Sequence, residues 1–197
     1  MAKVLARSAD TGPSFGWREL EEIYDRLREL RPKDRVEIIN GRIVVSQVPT
    51  KRHELHVFRL TALLIAATVE HRWMLSASMQ LFLGAQRDRY RSDLTVMPVD
   101  APMWGDDHVY GDATALVVEV VSKSSIDDDH RHKPRGCAAA GVPLYLVIDG
   151  FAGTIRLLSK PDAQTERYEQ QVEVQFGKPL ELPEPWNLTL DTAKLAD

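Results

Sequence analysis

The alternation of apolar and polar residues along the first third of the chain predicts two helices separated by a hairpin. Apolar side chains recur every three to four residues over 17–30 and again over 51–70, which is typical of helices. In the second helix Phe58 and Val69 are expected to face inward. Between the helices, VEIINGRIVVSQ contains two β-branched runs around Asn40-Gly41, a pair favoured in tight hairpin turns.

The rest of the chain predicts strands with one more helix. Strands are expected over 73–83 and 91–99, joined by a polar turn, and the Gly-, Pro- and Asp-rich segment 100–113 is expected to be a loop. The apolar segments 116–122 and 142–149 flank a helix that ends near Gly141, a pattern typical of a parallel βαβ crossover. Weaker strands follow to Phe176, and the tail is expected to add a short strand and a turn. The fold class is therefore α/β, a mixed sheet flanked by helices.

Length and composition suit one globular domain over 15–197, preceded by a loosely ordered N-terminal arm over 1–14. The chain is 44% hydrophobic and 27% charged, and its net charge of -4 argues mildly against a nucleic-acid partner for the molecule as a whole. A single cysteine, Cys137, excludes an internal disulfide. Neither a signal peptide nor a run of about 20 apolar residues is apparent, so we expect a soluble cytoplasmic protein without a membrane partner.

Two isolated acids are the first candidates for chemistry. Glu119 interrupts the apolar run 115–121, and Asp93 directly precedes a second apolar run, LTVMPV. A buried charge costs several kcal/mol unless it is compensated, and a cation held by both acids is one compensation. Mg²⁺ suits oxygen ligands and needs only one or two carboxylates, and it could activate a water for attack on a phosphodiester. The alternatives are a turn-capping role for Asp93 and a buried ion pair with an arginine for Glu119.

Lys133 is the candidate cation beside this acid pair. Pro134 favours the first turn of a helix, so the helix is expected to begin near Lys133, with IDDDH forming a separate turn before it. A lysine there could orient a water or stabilise charge on a phosphate, although a solvated lysine is the commoner outcome. Asp129 lies one helical turn before the lysine, whereas Asp127 and Asp128 are expected to cap the helix.

Other polar residues give weaker signals. Glu37 lies in the hairpin, where alternation slightly favours a solvent-facing side chain. His53 follows Lys51 and Arg52 at a helix start, which favours a phosphate contact. His56, His130 and His132 match no zinc spacing and are expected at the surface. A nucleophilic role for Cys137 is improbable because no base is nearby in the sequence. Walker-type and GxGxxG motifs are absent from the sequence.

Several segments together resemble a known family. The segments RSDLTVM, LVVEVVSKSS, D-x-x-x-K and CAAAGVPLYLVID, with the opening VEIINGRIVVSQVPTKRHELH, are similar to the Uma-type restriction endonucleases of the PD-(D/E)xK nuclease superfamily. The resemblance covers about residues 17–176. In that superfamily the lysine usually lies two residues after the glutamate, where this chain has Val121, and the resemblance implies that Lys133 provides the amine instead. Ser92 replaces the proline that usually precedes the aspartate.

This resemblance implies a restriction-endonuclease-like fold and Mg²⁺-dependent cleavage of DNA, with Mn²⁺ as a substitute. It implies that Asp93 and Glu119 are metal ligands, that Lys133 and Glu37 complete the catalytic set, and that Asp129 has a supporting role. Lys51, Arg52 and Arg91 are candidate contacts to the DNA backbone, and a homodimer would allow both strands to be cut. Two alternatives stay open: a catalytically silent nuclease fold that binds nucleic acid or a protein partner, and a hydrolase of small phosphoesters.

Overall fold

Two large β-sheets and three α-helices make up the part of the chain that the computed structural model describes, which is residues 3–7, 16–46, 49–77, 79–84 and 87–196. The helices are α1 (Trp17–Leu30), α2 (Lys51–Glu70) and α3 (Lys133–Ala139). The strands are β1 (Lys3–Arg7), β2 (Arg35–Ile39), β3 (Arg42–Ser46), β4 (Trp73–Ser76), β5 (Gln80–Leu83), β6 (Asp88–Tyr90), β7 (Leu94–Pro98), β8 (Met103–Trp104), β9 (His108–Tyr110), β10 (Leu116–Val120), β11 (Leu144–Asp149), β12 (Thr154–Asp162), β13 (Arg167–Gln175), β14 (Leu180–Leu182) and β15 (Leu188–Leu190).

The first sheet, called here the N-terminal sheet, has the strand order β1-β3-β2-β6-β5-β9-β8. The second, called here the central sheet, has the order β13-β12-β11-β10-β7-β4, and β14 and β15 form a separate hairpin. β10 and β11 are parallel, as are β5 and β9, so both sheets are mixed. The predicted α/β class is confirmed, while the strands divide between two sheets rather than forming the single sheet expected.

Three apolar clusters connect these layers. One cluster includes Ile39, Leu81 and Val109 of the N-terminal sheet and Val117 and Tyr145 of the central sheet, so the two sheets share a buried interior. The opposite face of the central sheet packs against α2 and the C-terminal hairpin. The outer face of β2 and β3 packs against α1. Both sheets are thus covered on both sides over much of their area.

The hairpin and the βαβ unit follow the predictions closely. Asn40 and Gly41 have φ values of 49° and 65°, the left-handed pair that a tight hairpin turn requires. α3 begins at Lys133 and continues directly from the π-helical segment Asp128–His132, so the turn predicted before it is helical rather than separate. Gly141, with φ of 76°, follows the end of α3 and permits the reversal into β11.

Other expectations were wrong in detail. The predicted strand 73–83 is divided between β4 in the central sheet and β5 in the N-terminal sheet, because β4 pairs with β7 while β5 pairs with β6. The predicted loop 100–113 contains β8 and β9 and a 3₁₀ turn. Phe58 and Val69 are exposed by 69% and 71%, so the apolar stripe of α2 is wider than the surface it buries.

The N-terminal arm is only partly within the described residues. Lys3–Arg7 forms β1, which pairs with β3 at the edge of the N-terminal sheet, instead of the loose segment expected there. The remaining residues of the predicted arm, 1, 2 and 8–14, lie outside the described residues. Among the described helices, none is both long and apolar enough to cross a membrane.

Candidate active site

β2 carries two charged side chains into the space between the sheets. Val36 and Ile38 pack toward α1, so the alternating residues Arg35 and Glu37 point the other way. Glu37 is only 2% exposed. The slight preference for a solvent-facing Glu37 was therefore wrong, because both faces of β2 are covered and alternation could not distinguish an outer face from a second buried one.

Asp93 lies at the entrance to β7 and is held by several donors. Its backbone N–H donates to the carbonyl of Val118, and its Oδ2 accepts from the Val120 N–H at 2.7 Å. The same oxygen lies 3.0 Å from His53 Nε2, in the first turn of α2. These bonds connect β7, β10 and α2, so the carboxylate of Asp93 is fixed in position rather than capping a local turn.

Glu119, the fourth of the five residues of β10, projects toward the N-terminal sheet. Val118 and Val120 belong to the core beside α2, whereas Val117 and Val121, on the face of Glu119, belong to the core shared by the two sheets. Glu119 is 1% exposed. A carboxylate at this depth requires compensation, as the sequence indicates.

Lys133 provides part of that compensation at the start of α3. Its Nζ lies 3.0 Å from Glu119 Oε1, 3.3 Å from Glu37 Oε1 and 3.4 Å from Asp129 Oδ1. The lysine is 2% exposed, so the solvated alternative was wrong. Asp129 is also anchored by a hydrogen bond from the Ser125 hydroxyl. The structure therefore brings Glu37, Glu119 and Asp129 around one ammonium.

Arg35 provides the rest of the compensating positive charge, and it was not predicted from the sequence as a site residue. Its Nη1 donates to Asp93 Oδ1 at 2.6 Å, and its Nη2 lies 3.4 Å from Glu119 Oε2. Its Nε lies 3.3 Å from Glu37 Oε2. One guanidinium thus contacts both predicted metal ligands, which is the arginine ion pair that the sequence left open for Glu119. The available signal was its position two residues before Glu37, on the same face of the strand.

Burial and mutual charge set the protonation of these groups. Burial raises the pKa of Glu119 well above its usual range, although Lys133 opposes this. Burial likewise raises the pKa of Asp129 to about 6, again against the effect of Lys133. For Asp93 burial acts in the same direction, but Arg35 and His53 outweigh it and hold the pKa well below its usual range. Burial lowers the pKa of Lys133, and the surrounding carboxylates more than reverse this, so its amine stays protonated.

The donor set fits a hard divalent cation by its chemistry. Four carboxylates, Glu37, Asp93, Glu119 and Asp129, surround two cations, Arg35 and Lys133, so acids exceed bases by two. Glu119 Oε1 and Asp129 Oδ1 are buried and, among the described residues, form no hydrogen bond beyond their ion pairs with Lys133.

Arg35 and Lys133 already contact the carboxylates that would bind a metal ion. No three acidic, histidine or cysteine side chains within the described residues are already arranged around a common point as a metal site. Mg²⁺ needs only one or two carboxylates and keeps several waters, so Asp93 and Glu119 would suffice as its ligands.

These side chains line a cavity of about 580 Å³. The start of α2, the loop 122–125 and Phe151 also contribute to its walls. A second cavity of about 690 Å³ lies near Trp73 and Pro143, but its acidic lining residues are exposed. The buried charges therefore identify the smaller cavity as the candidate active site.

The predicted DNA-contacting residues occupy different positions around this cavity. Lys51 is exposed at the first residue of α2, and Arg52 lines the cavity and donates to the carbonyl of Gly150 at 2.8 Å. Arg91 is half-buried, and its backbone N–H donates to Glu37 Oε1. Lys123, which also lines the cavity, was not predicted as a DNA contact.

His56, His130 and His132 were expected at the surface. His56 is instead buried, with 2% exposure.

Comparisons with known proteins identify the family and the fold of the chain. A family model named Uma2 and described as "putative restriction endonuclease" matches residues 17–193. A crystal structure described as "a putative nuclease belonging to DUF820" from Anabaena variabilis superposes with a TM-score of 0.65 at 14% sequence identity, covering 81% of this chain and 88% of that one. At this identity the likeness shows the fold alone. No curated protein matches the sequence. Because the family model covers most of its length, the chain belongs to the Uma2 family.

Proposed function

We propose that the protein is an Mg²⁺-dependent endonuclease that hydrolyses phosphodiester bonds of DNA. The family and the nuclease-like fold support nuclease activity in general, and the metal and the DNA substrate are the proposed refinements. The observation that carries the proposal is the meeting of Asp93, Glu119 and Lys133, which are far apart in sequence, in the wall of one cavity. A group assembled only for stability would not need to face a space large enough for a ligand.

The residues divide into holding and charge-stabilising roles. Asp93 and Glu119 would hold the cation, which when bound supplies Lewis-acid stabilisation and lowers the pKa of a bound water. Lys133 is a fixed positive charge that can stabilise negative charge developing on a phosphate oxygen. Glu37 and Asp129 keep the Lys133 ammonium in position from two other sides. His53 positions Asp93 through the hydrogen bond to Oδ2.

The mouth of the cavity supports a polyanionic substrate. Lys51 and Arg52 lie in the first turn of α2, where the positive end of the helix dipole also favours phosphate. Lys123 approaches the cavity from the loop after β10. Contacts of this kind position a nucleic-acid backbone without reading its sequence, so the proposal includes no recognition sequence.

Nicking of supercoiled plasmid tests the proposal. Wild-type protein should convert plasmid to open circles with Mg²⁺ or Mn²⁺ and not with EDTA. Asp93→Asn and Glu119→Gln should each reduce the rate at least about 100-fold. Asp127→Asn is the matched control, because this acid is 63% exposed and pairs only with Arg131 and His132 among the described contacts. Metal-independent nicking, or full activity in both site variants, would contradict the proposal.

A catalytically silent DNA-binding module is the second candidate. The observation that favours it is Arg35, whose guanidinium contacts both proposed ligands and acts as their counterion without a metal. In that case salt-dependent DNA binding should survive in Asp93→Asn and Glu119→Gln, while wild type fails to nick plasmid with either metal. Binding measured by fluorescence anisotropy alongside the nicking assay separates the two candidates.

A further inference from the structure

Arg35 occupies the place in which a cation between Asp93 and Glu119 would lie. Its guanidinium touches Asp93 at 2.6 Å and Glu119 at 3.4 Å. Asp93 directly precedes β7 and Glu119 lies in the neighbouring strand β10 of the central sheet. The arginine itself comes from the N-terminal sheet. The three side chains therefore connect the two sheets, and the positively charged guanidinium of Arg35 lies between the two acids.

The hold on Arg35 is incomplete. Its Nε is buried and, among the described residues, has no hydrogen-bond partner, although Glu37 Oε2 lies 3.3 Å away. Its side chain is 19% exposed, whereas those of Asp93 and Glu119 are 4% and 1% exposed. Arg35 also lines the cavity. The arginine side chain is thus more accessible to solvent than those of the two acids.

An arginine cannot leave such a site by losing its proton, because its pKa lies far above neutrality and the three acids raise it further against the effect of burial. It can only move. A divalent cation that binds the same two carboxylates must therefore displace the guanidinium, and the open side toward the cavity is where it can go.

We propose that Arg35 is an exchangeable internal counterion, which holds Asp93 and Glu119 in the metal-free protein and is displaced when a divalent cation binds them. The inference rests on the proposed metal site and adds to it an autoinhibitory contact. Its consequence is that the native protein binds metal more weakly than its acids alone would allow, since part of the binding free energy is used to break the Arg35 contacts.

Titration with Mn²⁺, followed by electron paramagnetic resonance of the free ion, tests this directly. Arg35→Gln should bind Mn²⁺ at least about tenfold more tightly than wild type, because a unit charge within contact distance of the ligands is removed. Arg35→Lys should show a smaller gain, because a point ammonium cannot bridge both acids as the planar fork does. Arg42→Gln is the matched control: Arg42 lies in the same hairpin, its side chain is 18% exposed, and it pairs with Asp128 outside the site.

Thermal unfolding provides a second readout. Without metal, Arg35→Gln should melt below wild type because its acids lack a counterion, and Mn²⁺ should restore the melting temperature. An ion pair that serves only stability would show the loss without this recovery. If Arg35→Gln does not fold, Arg35→Lys decides, with a several-fold gain in Mn²⁺ affinity supporting the inference and an unchanged affinity overturning it.

The outcomes separate this inference from the proposed function. Wild-type binding of Mn²⁺ with no gain in folded Arg35→Gln, or an equal gain in Arg42→Gln, overturns the counterion role and leaves the metal site intact. Absence of Mn²⁺ binding in wild type and in every variant overturns both. Binding in Arg35→Gln that wild type lacks supports the counterion role in its strongest form.

Discussion

The buried charged side chains of this site stabilise one another through their ion pairs. The ammonium of Lys133 is almost fully enclosed, yet it lies within 3.4 Å of three carboxylates contributed by β2, β10 and the turn before α3. Removing one member of such a group leaves buried charges without a partner, which is far more costly than losing an exposed ion pair. Function and stability are therefore coupled at the same residues.

Lys133→Met should show both effects. We expect plasmid nicking to fall at least about 100-fold, because the fixed cation near the phosphate is lost. The free energy of unfolding should fall by about 3–5 kcal/mol, measured by urea denaturation, because Glu37 and Glu119 lose their shared counterion. Lys178→Met, at an exposed position, is the control. A fully active Lys133→Met variant would exclude this residue from the chemistry.

At this scale the sequence predicted the acids but not all of their partners. Asp93 and Glu119 can be identified in the sequence because a charge in an apolar strand needs compensation. Pro134 indicates that a helix begins near Lys133. Arg35 contacts acids 58 and 84 residues away. No spacing rule links residues so distant, since their meeting depends on how the two sheets pack.

The hairpin of β2 and β3 is the element that carries Arg35 and Glu37 into the site. Its turn is held by Asp88 of β6, whose carboxylate accepts from the backbone N–H groups of Asn40 at 2.7 Å and Gly41 at 3.2 Å. The Tyr90 hydroxyl donates to the same carboxylate. Burial raises the pKa of Asp88 to about 6, even though these donors oppose the shift.

Asp88→Asn tests this support. At pH 4 the variant should lose about 1–3 kcal/mol of unfolding free energy, because the amide nitrogen of asparagine cannot accept a hydrogen bond as the second carboxyl oxygen does. The pKa of Asp88 in the folded state lies above its unfolded value of 3.8, so the folded state holds the extra proton between about pH 4 and pH 6.

The contribution of Asp88 to stability is thus greatest at low pH and is lost as the pH rises through about 6. Denaturation curves at several pH values should show the difference between wild type and Asp88→Asn growing by up to about 3 kcal/mol as the pH falls from 7 to 4. A difference that is constant, or that shrinks on acidification, would contradict the raised pKa.

The elements themselves were predictable where local chemistry decides them. The Asn40-Gly41 turn, the start of α3 at Lys133 and the reversal at Gly141 each follow from the conformational preferences of one or two residues. The division of 73–83 into β4 and β5 could not be predicted, because it depends on pairing with β7 and β6 rather than on local pattern.

The whole molecule is acidic, so the DNA binding that we propose would depend on a local patch of positive charge. The net charge is -4, while Lys51, Arg52 and Lys123 lie at or near the mouth of the candidate active site. Because a few phosphate contacts dominate non-specific affinity, binding should be weak and should fall steeply with salt. The two-sheet architecture that creates this mouth could not be predicted, since apolar periodicity shows that a strand is buried but not which sheet contains it.

Lys51→Gln tests the local patch. The variant should bind an oligonucleotide duplex more weakly than wild type, and the slope of log affinity against log salt should decrease in magnitude by about 1, with little dependence on DNA sequence. Lys178→Gln removes the same charge from an exposed site elsewhere and should leave the slope unchanged. Equal effects of the two substitutions would show that overall charge, and not this patch, governs binding.

The most direct test of the central claim is a crystal structure of the protein soaked with Mn²⁺, with the ion located by its anomalous scattering. Our account predicts a peak about 2.1 Å from a carboxylate oxygen of both Asp93 and Glu119, with the Arg35 guanidinium moved toward the cavity. A structure at saturating Mn²⁺ in which Arg35 still joins the two acids, and no peak lies between them, would contradict it.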